Sequence, residues 1–522
     1  MIEDRSIKGS QLSNALLAVL LACAWVVTLD VRGADWPQWR GPDENGITTE
    51  QLPAKPDFDQ VRWRKQVGTG FSSVAVAEGR LFTMGHRGPK SGGEETVWCL
   101  DAESGKELWT HSYPAPLIDR FYEGGPGATP TVRQGRVFTY SKHGRLHCYL
   151  AKDGKLLWQR DMLAEAGLDG PPEWGFASSP YLLNDDTLII EAGATFALEA
   201  ASGKVLWKGE RFTPAYGTPK AFPVDGRKLL AVMKTEGLVV LDAADGRTVG
   251  NAGWKTSFDT TATTPIVQGN RIFISTGYDR GCALFELADN GLRKIYENQR
   301  MANHMNNSVL IADHLYGFDG TAHRGRPTEL VCLELATGRE KWRVPPGEGL
   351  GCGSVTATAD GTLLILSERG ELVAAPASPA GFKATARASV LGGKCWTVPV
   401  LAHGRVYCRN SRGIWCVCSP PRNDEPFRPQ PAPRAGRPAR GGRCVRWHKF
   451  LEIRWLARTA LRRAALRVSR QVRGDTLRAD VPRRIRGGVQ DGVRGCGLLH
   501  LSSAGLPRRA CVAGAGGFSV RL

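Results

Sequence analysis

Short apolar runs, broken by glycine-rich polar turns, follow one another along most of this chain. Arg136-Val137-Phe138-Thr139-Tyr140 leads through Gly144 to Leu146-His147-Cys148-Tyr149-Leu150, then to a Gly-Lys turn and a run through Trp158. Runs this short, bounded by turn residues, predict strands rather than helices. Asp suits the turns because it bonds its own backbone, and glycine because it tolerates positive φ. The unit predicted is a four-stranded antiparallel meander.

The unit recurs. Asp101–Trp109 reads D-A-E-S-G-K-E-L-W, Ala151–Trp158 reads A-K-D-G-K-L-L-W and Glu199–Trp207 reads E-A-A-S-G-K-V-L-W, the tryptophans falling 49 and 49 residues apart. Weaker copies start at Asp242 and Glu334, the latter ending at Trp342. First strands are expected near Ser73, Thr129, Ser179, Thr218, Thr264, Ser308, Ser354 and Val398. Pro130, Pro180, Pro219, Pro265 and Pro399 mark five of them, since proline is tolerated at a strand start but not in mid-sheet. Self-similarity at this period signals a radial array. The expectation is all-β: an eight-bladed β-propeller of four-stranded antiparallel blades over residues 61–418. Val61–Gln66 resembles a tryptophan strand with no blade before it, and is expected to close the ring by pairing near Ile414–Val417. Trp63, Trp109, Trp158, Trp207 and Trp342 are expected to be largely buried wedges between blades.

Charge divides the chain. Residues 419–522 hold 23 of the 69 Lys and Arg and 6 of the 51 Asp and Glu, a net +17 that leaves +1 for the rest. A nearly neutral body with a basic appendage gives no reason to expect nucleic-acid binding by the propeller. At the N-terminus, Arg5 and Lys8 precede an apolar run from Ala15 to Leu29 that ends at Gly33-Ala34, which reads as an export signal over residues 1–34. Leu20-Leu21-Ala22-Cys23 offers a lipoprotein-like alternative, and an uncleaved signal anchor a third. Cys99, Cys148, Cys332 and Cys416 fall at one place in their repeats and read as small core residues. Zinc and haem cysteine spacings, P-loop, nucleophile elbow, H-E-x-x-H and Rossmann patterns are all absent from the sequence.

The x-A-x-x-G-K-x-x-W turn resembles the docking motif of quinoprotein (PQQ) propeller repeats. The opening Asp35-Trp36-Pro37-Gln38-Trp39-Arg40-Gly41-Pro42 is similar to the start of bacterial PQQ-binding-like propeller proteins, a group that includes BamB-like proteins. The resemblance covers residues 35–418 and implies a quinoprotein alcohol dehydrogenase-like fold. It also implies two functions. BamB-like scaffolds present surfaces to partner proteins and bind no cofactor; quinoprotein dehydrogenases hold PQQ and calcium on the axis and oxidise alcohols or sugars. The enzymes typically carry adjacent cysteines against the quinone, and this chain has no Cys-Cys pair.

Loops before the first strands are where an axial ligand would be held. Trp174 offers a flat face, and Asn303, His304, Asn306 and Asn307 form a polar cluster; these are the candidate cofactor-binding residues. Calcium takes six to eight oxygen ligands, carboxylates among them, and Glu123 and Asp259 are the candidate metal ligands. Cys352 and Cys395 also precede first strands. No catalytic residue is assigned. The expected function is an extracytoplasmic scaffold or protein-binding module, secreted, periplasmic or outer-membrane associated. It is expected to be monomeric and free of cofactor, with other envelope or secreted proteins as partners and a lipoprotein or signal anchor as its route to the membrane. The alternative is a PQQ- and Ca2+-dependent dehydrogenase; a glycan-facing module is a third reading.

From Ser419 the repeat stops. Arginine outnumbers lysine 22 to 1 across 419–522, Pro420 to Pro438 is proline-rich, and Leu456 to Val468 is rich in Arg, Leu and Ala. Such composition without periodicity suits a disordered or out-of-frame tail better than a basic arm or a helical module.

Overall fold

The computed structural model describes residues 33–53, 56–322 and 328–418; residues 1–32, which make up nearly all of the expected export signal, and the tail from residue 419 lie outside the described residues. Seven sheets are four-stranded antiparallel meanders, spanning residues 75–114, 131–161, 181–208, 220–253, 266–298, 309–343, and 400–418 together with 61–66. The remaining sheet, residues 354–389, has five strands, because Ile47–Thr48 adds in parallel to its innermost strand. The number of four-stranded blades is therefore seven, not the expected eight. No repeat signal marks the added strand, which comes from the chain preceding the first repeat. The first strands start within two residues of their expected positions, and Pro130, Pro180, Pro219, Pro265 and Pro399 each stand one residue before theirs.

The ring is closed by its two ends. Val61–Gln66 pairs antiparallel with Ile414–Cys418, so the outermost strand of the last sheet comes from the N-terminal side of the first. Closure of this kind leaves no free sheet edge at the seam. Apolar side chains fill the spaces between neighbouring sheets in layers; Phe138, Leu146, Ile190 and Phe196, for example, belong to one layer between two blades.

The glycine and the tryptophan of the repeat meet across three of the junctions. A Cβ on Gly154 would fall 2.6 Å from the Trp109 ring, one on Gly203 2.7 Å from Trp158, and one on Gly246 2.5 Å from Trp207. The indole N–H of each ring donates to a carbonyl of the same turn: Trp109 to Ala151 at 3.0 Å, Trp158 to Ala200 at 3.1 Å, Trp207 to Ala243 at 3.2 Å. Tyr296 takes the role over Gly338 and donates to Leu335 O at 2.9 Å. At the seam the two jobs are split: Trp63 covers Gly105, while Tyr407 donates to Ala102 O at 3.0 Å. These tryptophans, Trp342 included, are partly buried, each packed against an apolar cluster between blades. Gly154 (φ 75) therefore has both a left-handed backbone and no room, whereas Gly135 (φ 67) has the same backbone and open space. Gly135→Ala should cost about 1 kcal/mol for the strained φ. Gly154→Ala should cost roughly 1–2 kcal/mol more, since the Trp109 ring must shift. Equal losses in urea unfolding would show that the ring does not hold the junction.

Residues 35–50 cross the channel inside the ring and reach seven of the sheets near their first strands. Trp36 exchanges backbone hydrogen bonds with Val76, both 2.8 Å, and Pro37 O accepts from Val132 N at 2.8 Å. Trp39 donates to Thr264 Oγ1 at 3.0 Å, Arg40 to Ser308 O at 3.1 Å, and Lys220 to Glu44 at 2.8 Å. Gly46 O accepts from Ala357 N at 2.9 Å, and Glu50 from Gly404 N at 2.8 Å. Arg40 is held by the carbonyls of Glu44, Asn45 and Ser308, and burial pushes its guanidinium down to about 10. This segment plugs one end of the channel.

Candidate functional site

With one end plugged, the other end of the channel is a cavity of about 210 Å³. Residues just before the first strands, such as Gly127, Ser179, Thr218 and Thr397, form its wall, and Trp39 closes it on the plug side. Its lining is dominated by rings that no single blade could supply. Phe71 stacks on Trp396 with centroids 5.3 Å apart and meets Tyr122 at 5.7 Å; Tyr122 meets Trp174 at 6.2 Å. Tyr278 and His304 meet edge to face at 5.1 Å, and Tyr216 completes the wall. At the rim Phe121 is 70% exposed on a left-handed backbone (φ 61) and meets Trp174 at 5.9 Å. A large apolar ring shown to water from a strained backbone is a feature of ligand-contacting loops.

Lys142 lines this cavity while being only 5% exposed. Its ammonium donates to the Tyr122 hydroxyl at 2.9 Å and to the Trp174 carbonyl at 2.6 Å, both neutral acceptors. The other lining cation, Arg120, is paired with Glu173 at 2.9 Å near the surface. Among the described residues no carboxylate lines the cavity. Glu95 lies behind Lys142, accepting its backbone N–H at 3.2 Å and the Tyr113 hydroxyl at 2.9 Å; burial pushes its pKa up. The Trp174 indole N–H is buried without a hydrogen-bond partner among the described residues.

Of the cofactor candidates, Trp174, His304 and Asn306 line the cavity. Asn303 is spent on the Phe318 carbonyl at 2.8 Å and the Ser308 hydroxyl at 2.9 Å. Asn307 clamps the backbone of Thr264, accepting from its N–H at 3.0 Å and donating to its carbonyl at 2.6 Å, which ties one first strand to the next. Asn306 donates to Gly353 O at 3.3 Å. Neither metal candidate lines the cavity: Glu123 pairs with Lys394 at 2.8 Å, and Asp259 is exposed on a turn. Cys352 and Cys395 are both buried, and burial pushes Cys352 up to about 12. Glu123 was singled out as a carboxylate, but the residues just before it, Arg120, Phe121 and Tyr122, are the ones that line the cavity. Trp39, Phe71, Lys142, Tyr216, Tyr278 and Trp396 were missed; all but Trp39, which comes from the plug, stand a few residues before a first strand or after a second.

An all-β propeller of PQQ-like repeats with a one-mouthed axial cavity is the class that fold and site define. The sequence family described as outer membrane protein assembly factor BamB matches residues 93–344 and 326–419, and the chain belongs to that family. Quinohemoprotein alcohol dehydrogenase ADH-IIG of Pseudomonas putida is 28% identical over 173 residues, 31% of this chain and 21% of that protein. The 1-butanol dehydrogenase (cytochrome c) of Thauera butanivorans is 31% identical over 109 residues, 20% of this chain and 14% of that protein. The chain thus spans about a fifth or less of these relatives' lengths. Among solved structures, quinohemoprotein alcohol dehydrogenase from Comamonas testosteroni shares the fold with a TM-score of 0.53 at 12% identity, covering 78% of this chain and 84% of that one. BamB from Moraxella catarrhalis matches with a TM-score of 0.47 at 16% identity, covering 68% and 100%.

Proposed function

We propose that this protein is an extracytoplasmic, BamB-like binding module that holds a partner or ligand at the open mouth of its propeller and performs no quinone-dependent oxidation. The lining of the cavity carries this reading: many aromatic rings, one buried ammonium and, among the described residues, no carboxylate. A calcium ion polarising a quinone needs acidic oxygen ligands and a carboxylate base within hydrogen-bond reach. The oxygen groups here are amides and hydroxyls, and Glu123 and Asp259 lie off the lining. The residues present do not fit the quinone–calcium pair. The family membership supports the same side, and the alcohol dehydrogenases match over only 31% and 20% of this chain. The expected setting is the cell envelope, with other envelope or secreted proteins as partners.

Purified protein supplied with PQQ and Ca2+ and a panel of alcohols and sugars is expected to show no reduction of an artificial electron acceptor above the protein-free control. Stoichiometric quinone binding with turnover would replace the binding-module reading by the dehydrogenase.

A further inference from the structure

We infer that the cavity is a metal-independent site for a small, flat carboxylate, with the Lys142 ammonium as the anchor of its negative group. The inference rests on the binding-module reading and names the ligand chemistry of that site. Three observations lead to it.

The first is Lys142 itself. Burying an ammonium is costly unless it is paired, yet the two bonds it makes are to a hydroxyl and a carbonyl. An ammonium has three donors, so one remains for an acceptor in the cavity that it lines. The nearby Glu95 is already engaged by Tyr113 and by the backbone of Lys142. An incoming anion supplies what the site lacks.

The second is the wall. Rings from several blades surround this cation. Aromatic walls favour a flat apolar body. They also attract cations, but Lys142 and Arg120 and the lack of lining carboxylates oppose a cationic ligand.

The third is size. A cavity of about 210 Å³ is smaller than the ~300–1,000 Å³ typical of drug-sized ligands. It suits a body of about one or two fused rings. Phe121, exposed at the rim, is placed to cover such a body once it is seated.

The test uses the full chain in buffer with EDTA. Binding of naphthalene-2-carboxylate, naphthalene-2-methanol and naphthalene-2-methylamine is measured by calorimetry and by quenching of tryptophan fluorescence. The carboxylate is expected to bind at least tenfold more tightly than the alcohol, the amine more weakly than either, and added Ca2+ to change nothing. Lys142→Met should bring the carboxylate to the affinity of the alcohol while leaving the alcohol unchanged. Phe121→Ser, a change at an exposed position, should weaken the carboxylate and the alcohol alike. Equal binding of carboxylate and alcohol by the native protein, or no binding of either, overturns the inference whether or not the Lys142 variant folds. Failure here with no quinone turnover leaves the binding-module reading standing, whereas quinone turnover removes that reading itself.

Discussion

Trp36→Ala is expected to destabilise the propeller by about 3–5 kcal/mol, the cost of truncating a large buried aromatic residue. Trp36 is 1% exposed and belongs to a cluster with Val74, Val76, Trp98, Val398 and Val400. That cluster joins the first sheet to the last, next to the seam where the ring closes. The tight turn after it leaves no alternative packing: Gly41 (φ 80) lies under the ring, with its hypothetical Cβ 2.9 Å away. The loss is therefore expected to be local before it is global. Hydrogen exchange should show protection failing first in residues 75–82 and 400–409. A loss below about 1 kcal/mol, or first failure in the sheet of residues 220–253, would show that the plug merely lies in the channel. Typical values for buried tryptophan truncation set that threshold.

Acid is expected to remove about 3 kcal/mol through one histidine. His147 is 2% exposed, and burial first, then the proximity of His111 and Arg145, pushes its pKa down to about 4. Its ring meets Tyr113 at 4.5 Å, Tyr149 at 5.6 Å and His111 at 6.3 Å, and its Nδ1 has no hydrogen-bond partner among the described residues. In the unfolded chain a histidine titrates near 6.5. The folded value is depressed, so this contribution is complete above about pH 6.5 and is lost as pH falls from there to about 4. Each unit of the difference is worth about 1.4 kcal/mol, which gives the total. His86 and His111 are shifted the same way, chiefly by burial, and steepen the fall. His147→Phe keeps an aromatic ring among Tyr113 and Tyr149 without the titrating group. Urea unfolding from pH 7 to 4.5 should then show a markedly shallower loss of stability than in the native protein. The same slope in both would place the acid sensitivity elsewhere.

The strands, their order in the meander and the closing pair of 61–66 with 414–418 were legible because each depends on local chemistry. Short apolar runs, Gly-Lys turns and prolines before first strands act within a few residues of one another. The repeated Trp and Gly were legible as wedge and turn, though only the structure shows that one blade's ring needs the next blade's bare glycine. The site was less legible. Asn303 and Asn307 look like ligands in the sequence because they are polar and clustered, but burial spends their amides on neighbouring backbone. Buried polar groups find partners before they find ligands.

What the sequence determined by itself is the repeated unit, the all-β class, the seam and the nearly neutral charge of the body. These follow from the period of apolar positions and from turn residues, which act locally. The tertiary structure alone decided that residues 35–50 plug the channel, that Ile47–Thr48 adds a fifth strand to one sheet, and that Phe71, Tyr122, Lys142, Trp174 and Trp396 share one cavity. Those residues are far apart in the chain and meet only because the closed ring brings loops from different blades to a common axis. Nothing in the local pattern specifies which side chains converge there, since a loop residue's neighbours across the axis are set by ring closure.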